Sequence, residues 1–453
     1  MVCLALVACS KKASPQEAKQ ARLDWNLKTL VGAYKQASYT DPKWDESATN
    51  ALVEFARSRS QSLESDEDWT TIIRTNCDAA VQAGCDDPMI HYLHIKFSMS
   101  QTNTPQDFAD AFCRTADELQ QSSYPPIRKF YAALRALQQV YYAYSTNADR
   151  ETIHELAQGI MNNLMDTLDD KTTPPEEVYD ACHETLAAYS GGKTAYEDCY
   201  NKIEQPLFQN WPNESISWLL KGEACVQMAW LARGGGYANT VTEDQWKSFR
   251  ERLATAEKSL DKAWELNPKD ERIPREMMTV ELGQGKGRDR MELWFNRAMK
   301  LDPNDYDACS AKLYYLEPKW YGSTEAMLEF GRECVTNQAW EGHIPLILLD
   351  AHKSIQRQYV DDSGKNDYWK QPEVWSDIKS AFDRFFELNP DAIGWYHNYA
   401  WYAYQAGQWD TLNEIIPKLG PINYSFFGGK DEFDKMVELA KEHAGKPAAA
   451  QQQ

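Results

Sequence analysis

Three segments of this chain end in the same way. Leu260-Asp-Lys-Ala-Trp-Glu-Leu-Asn-Pro-Lys-Asp270 and Phe295-Asn-Arg-Ala-Met-Lys-Leu-Asp-Pro-Asn-Asp305 superimpose at a period of 35, and Phe382-Asp-Arg-Phe-Phe-Glu-Leu-Asn-Pro-Asp391 closes alike. Proline cannot continue the hydrogen-bond ladder of a helix, and it disfavours helix in the residue before it. Each segment is therefore an amphipathic helix brought to a fixed stop. Recurrence at such a spacing is the mark of helical units that bury their apolar faces only by stacking on one another.

Reading outward from these stops gives five helix pairs. The first helices fall at roughly 213–232, 272–282, 305–316, 343–357 and 392–405, and the second at 243–265, 289–301, 324–335, 372–388 and 409–418. A further amphipathic helix near 431–443 caps the stack, and 444–453, ending Ala-Ala-Ala-Gln-Gln-Gln, reads as a disordered tail. Upstream, helical periodicity also dominates and strand alternation is nearly absent. Ile127, Phe130, Leu134, Leu137, Tyr141 and Tyr144 form one stripe after Pro125-Pro126, as do Ile153, Leu156, Ile160, Leu164 and Leu168 further on. Residues 17–204 read as eight or nine helices in antiparallel pairs, broken at Asp86-Asp87-Pro88 and at Lys171-Thr-Thr-Pro-Pro175. The expected organisation is a 1–16 leader and tether, a 17–204 helical region, a 205–443 repeat array and the 444–453 tail. The fold class is all-α.

The repeat endings resemble the closing half of a tetratricopeptide repeat, whose period is about 34. Ala256, Leu260, Ala263 and Pro268 match that half, while Ala400, Gly407 and Trp409 match the opening half. The resemblance implies a tetratricopeptide-like solenoid. In addition, Ala232-Arg233-Gly234, Met291-Glu-Leu-Trp-Phe295 and Tyr314-Tyr-Leu-Glu-Pro-Lys-Trp-Tyr-Gly-Ser323 resemble an uncharacterised tetratricopeptide-like family of bacterial proteins with a Pro-Lys-Trp-(Gly/Tyr)-Gly-Ser turn. That family implies a fold and no chemistry. Ser323 is placed to cap the helix that starts at Thr324.

The turns within the pairs are long: 232–241, 283–288, 317–323 and 359–369. Equivalent turns of a solenoid lie along one edge, so these would form one rim. Arg233, Tyr237, Arg288, Lys319, Trp320, Tyr321, Tyr368 and Trp369 are its expected binding residues. The same sequence is compatible with Trp320 and Trp369 folding inward to fill gaps between irregular repeats.

Little points to catalysis, and no cofactor signature is present. Gly283-x-Gly285-x-Gly287 follows no strand and reads as a turn. His154-Glu155 and His183-Glu184 lack the second histidine of a zinc protease, and no Gly-x-Ser-x-Gly elbow occurs. His91 and His94 share a helix face but read as a structural pair, so no metal site is expected. The net charge of −20 disfavours nucleic acid and anionic membrane surfaces as partners.

At the other end, Leu6-Val7-Ala8-Cys9-Ser10 resembles a bacterial lipobox, which implies lipidation at Cys9 and an envelope protein, with Ser10 favouring the outer membrane. The basic start of a full signal is missing, as it would be if translation began upstream. Membrane contact would then be through acyl chains alone. Besides Cys3 and Cys9, eight further cysteines include Cys77 with Cys85 and Cys182 with Cys199, spaced to bridge neighbouring helix ends or to stay as buried thiols. The expected function is a non-catalytic scaffold for a protein or peptide. A glycan partner is second, by similarity to starch-utilisation lipoproteins, and an α-helical hydrolase third.

Overall fold

The computed structural model describes residues 15–37, 39–60, 68–99, 103–144, 150–190, 192–362, 364, 367–443 and 445. Cys9 and the expected leader as far as residue 14 lie outside them, as does most of the tail, while residues 15 and 16 open the first helix. The chain is all-helical, with no strand among the described residues, and it divides into two compact units, Met1–Leu266 and Asn267–Gln453.

The first unit contains α1 (Pro15–Leu27), α2 (Ala33–Gln36), α3 (Asp45–Arg59), α4 (Trp69–Gln82), α5 (Pro88–Ser98) and α6 (Pro105–Gln121). It continues with α7 (Pro126–Tyr144), α8 (Arg150–Asp169), α9 (Pro175–Ala188), α10 (Lys193–Asn210), α11 (Ser215–Arg233) and α12 (Glu243–Leu266). Their starts are written locally. The Asp87 carboxylate accepts from the N–H groups of Met89 and Ile90 at 3.0 and 2.9 Å, with Pro88 in the first turn. Thr104 and Asp107 form a reciprocal capping box at α6.

The expected boundary at 204/205 falls inside α10, which runs through Pro206 to Asn210. The units part after Leu266 because α11 packs on α9 and α10, and α12 packs on α11. At that last contact Gly222 stands where any Cβ would press into the Leu260 side chain.

The first unit is tied by one buried carboxylate. Glu177 of α9 is fully buried and accepts from Arg22 Nε (3.0 Å) and Asn26 Nδ2 (3.3 Å) of α1, Arg59 Nη2 (3.4 Å) of α3 and the Tyr131 hydroxyl (3.2 Å) of α7. Burial alone would raise its pKa, but the guanidiniums of Arg59, Arg22 and Arg128 and the Asn26 hydrogen bond hold it at about 2.

The second unit contains α13 (Arg272–Gln284), α14 (Arg288–Leu301), α15 (Tyr306–Tyr315), α16 (Thr324–Thr336) and α17 (Ile347–Gln358). After these come α18 (Pro372–Leu388), α19 (Tyr396–Gln405), α20 (Trp409–Ile415) and α21 (Lys430–His443). Helices α12, α14 and α18 end at Leu266, Leu301 and Leu388, each directly before its Asn/Asp-Pro pair. Helices touch their neighbours and the next but one: α13 meets α14 and α15, α15 meets α17, and α16 meets α17 and α18. The core is aromatic, with Phe295 edge-on to Phe330 and Trp340 (5.6 and 5.8 Å), and Phe382 stacked on Tyr399 (4.6 Å).

Replacing Glu177 by Gln is expected to cost about 3–5 kcal/mol in denaturant unfolding, because Arg22 and Arg59 lose a buried counter-charge. A folded pKa of about 2 lies below the ordinary 4.5, so this stabilisation is present above pH 4.5 and lost as pH falls toward 2. The gap between wild type and Glu177→Gln should therefore narrow over that window.

Candidate functional site

Two places gather chemistry-bearing side chains, one in each unit. The first is an edge of turns in the second unit. In the 317–323 turn, Trp320 N–H bonds to Glu317 O (2.8 Å) and Tyr321 N–H to Tyr315 O (3.2 Å), while the Ser323 hydroxyl caps α16 by accepting from Ala326 N–H (3.2 Å). Any Cβ on Gly322 would overlap the Leu316 carbonyl.

This turn is laced to the turns on either side. Backwards, the Tyr321 hydroxyl donates to Leu282 O (3.0 Å), at the end of α13, and its tip lies beside Gly285. Forwards, buried Glu317 accepts from the Ser354 hydroxyl (2.9 Å), Gln358 Nε2 (3.4 Å) and the Tyr359 hydroxyl (3.4 Å), all at the end of α17. Lys319 Nζ sits 2.6 Å from Glu317 and 4.4 Å over the Tyr314 ring. Trp320 packs edge-on to Tyr314 at 5.8 Å. Tyr314 and Tyr321 remain 41% and 44% exposed, so the edge presents aromatic rings beside a cation. Gly285 and Gly287 take positive φ (62° and 112°) between α13 and α14, as an inter-helix turn requires.

The remaining expected rim residues fare differently. Arg288 pairs with Glu292 (3.2 Å) on its own helix. Arg233 and Tyr237 belong to the first unit, where Arg233 braces its own turn through Gly234 O and Gly236 O (3.0 and 3.2 Å) and Tyr237 is 87% exposed. Tyr368 and Trp369 are buried, which corrects their placement on a rim. Tyr368 bonds His352 Nδ1 (2.8 Å), whose Nε2 meets Asp377 (3.1 Å), and Trp369 lies edge-on to Tyr402 (5.0 Å). Arg332 clamps the same Asp377 (2.8–3.1 Å), so this Tyr-His-Asp-Arg chain joins α16, α17 and α18 as packing.

The second place is a cavity of about 280 Å³ in the first unit, among α3, α5, α7 and α9. Its lining is spaced for one helix face each: Phe55 and Arg59 on α3, Met89, Tyr92 and Lys96 on α5, and Arg128, Tyr131, Leu134, Arg135 and Gln138 on α7. Glu184 comes from α9. Burial pulls Arg128 down to about 10, and desolvation near Arg59 and Arg135 pulls Lys96 down to about 8. Lys96 is exposed as a residue, and its ammonium lies over the rings of Phe55 and Phe97 (5.2 and 5.5 Å). Burial raises the Glu184 carboxyl, and it lifts the Tyr131 phenol well above its usual range.

Sequence reading missed this cavity. It used α7 for its apolar stripe alone, although Arg128, Tyr131, Arg135 and Gln138 repeat on the adjoining face of the same helix. The eight described cysteines are free thiols, so neither Cys77–Cys85 nor Cys182–Cys199 is bridged here. Burial pushes Cys77, Cys85 and Cys199 up to about 12, 11 and 12, away from thiolate reactivity. His91 bonds Glu118 (2.9 Å) and His94 meets Asp78 (3.2 Å), each on its own carboxylate. Among the described residues no group of three or more ligating side chains gathers around a possible metal, and no helix is long and apolar enough to cross a membrane.

No protein-family model matches the chain, and no curated protein matches its sequence.

Gly322→Ala is expected to cost about 1–3 kcal/mol, since the added methyl meets backbone that cannot step aside. Hydrogen exchange should quicken across 315–324 and at 282–287 while α7 and α9 keep their protection.

Proposed function

We propose that the chain is a non-catalytic binding scaffold for a protein or peptide, whose second unit is a tetratricopeptide-like repeat array. The helix ends at Leu301 and Leu388 and the neighbour-and-next-but-one packing from α13 to α18 support the array. The observation that carries the binding role is the lacing of three successive turns through Tyr321 and Glu317. Such an edge holds Tyr314, Lys319, Trp320 and Tyr321 in place before any partner arrives, so little ordering entropy opposes association. Aromatic rings beside a cation are the residue types that dominate binding energy at protein interfaces. The exposed rings of Tyr314 and Tyr321 also favour a glycan as the second reading.

The scaffold is proposed to sit at a bacterial envelope, the outer membrane by preference, held by acyl chains on Cys9. Support for that comes from the Leu6-Val7-Ala8-Cys9-Ser10 pattern.

Immobilised full-length protein should retrieve a partner from envelope extract. The Tyr314→Ser, Lys319→Gln double variant, altering two side chains that are about two-fifths exposed, should stay folded yet lose at least about tenfold of that capture. Equal capture by the variant would sink the reading, and variant-sensitive binding confined to a glycan array would move it to the second. Mass spectrometry of the mature N-terminus should show a diacylglyceryl mass on Cys9; an unmodified thiol there removes the anchor.

A further inference from the structure

The cavity of the first unit carries a local electrostatic imbalance opposite in sign to the net charge of the chain. The chain carries 68 acidic against 48 basic residues, yet Arg59, Lys96, Arg128 and Arg135 converge on one small space with Glu184 as the facing carboxylate. Arg59 is answered by Glu177 at 3.4 Å and Asp180 at 3.9 Å. Among the described residues, the other three cations have no carboxylate within 4.0 Å.

Arg128 is the sharpest case. It is 2% exposed and bonds only neutral partners, Asn26 Oδ1 at 2.5 Å and Thr29 Oγ1 at 2.6 Å, while its buried Nε has no partner. The buried Nε of Arg135 and that of Arg59 also lack acceptors. Buried cations and donors are ordinarily paired, because leaving them unpaired is costly. Phe55, Met89, Tyr92 and Leu134 supply an apolar wall in the same space.

We propose that this cavity binds a small organic oxyanion, a carboxylate or phosphate head on a short apolar or aromatic body. The head pairs with Arg128, Arg135 and Lys96, and the body lies on the Tyr92–Leu134 wall. A cavity of about 280 Å³ sits at the small end of ligand sites and limits the occupant to a single-ring-sized molecule.

Calorimetry and thermal melts of the full chain would use phenyl phosphate, 3-phenylpropionate, inorganic phosphate and the uncharged 3-phenylpropanol. At least one of the two ring-bearing anions should bind saturably and raise the melting temperature, and whichever head binds more tightly identifies the source. Arg135→Gln and Lys96→Gln, both at partly exposed positions, should each weaken it about tenfold. If one variant fails to fold, the other still decides. No saturable binding of either ring-bearing anion at millimolar concentration overturns the proposal, as does undiminished binding by a folded variant. Equal affinity for phenylpropanol overturns the anionic head, and equal affinity for inorganic phosphate overturns the apolar body.

Discussion

The Met1–Leu266 unit depends on keeping Glu177 ionised inside protein. A lone carboxylate could not stay charged there, since its desolvation outweighs what one distant partner returns. Arg22, Arg59, Asn26 and Tyr131 together make it tolerable, and they come from α1, α3 and α7. Three helices are therefore fixed against α9 by one of its side chains. The same arrangement commits Arg59 to Glu177 and lays its guanidinium over the Tyr131 ring at 4.4 Å. Arg128 is drawn into the shared field without a carboxylate of its own. Structural closure and the charge of the cavity thus have one origin.

The Asn267–Gln453 unit is organised differently. Its polar ties are short-range and serial: Glu281 with Arg290 (2.7 Å), Lys312 with Glu292 (2.8 Å), Glu317 with the end of α17, and Asp377 with Arg332 and His352. Each tie joins a helix to one nearby in sequence, and none gathers the whole unit. Buried Lys312 shows how the polar and aromatic layers combine, with its ammonium 4.2 Å over Phe295 and 4.4 Å over Phe330.

What was legible in the sequence follows the same division. Asn267-Pro268, Asp302-Pro303 and Asn389-Pro390 act on the residues beside them, so the ends of α12, α14 and α18 fell where expected. The boundary expected at 204/205 had no such stop behind it, and α10 runs across it and through Pro206 to Asn210. Tyr368 and Trp369 sit in a long polar loop, and only the distant His352 and Tyr402 turn them inward. The cavity was least legible of all. Its cations come from α3, α5 and α7, and nothing within any one helix announces that they meet.

The reach of Glu177 also sets an order of events during synthesis. Arg22 of α1 finds its acceptor only 155 residues later, whereas the ties of the second unit close within a few dozen residues. At about 5–20 residues per second, α1 waits on the order of ten to thirty seconds for α9 to be made. Through that interval its guanidinium lacks the buried carboxylate that it meets in the finished unit. Helix α1 can settle on α3 early, but its buried ion pair closes late.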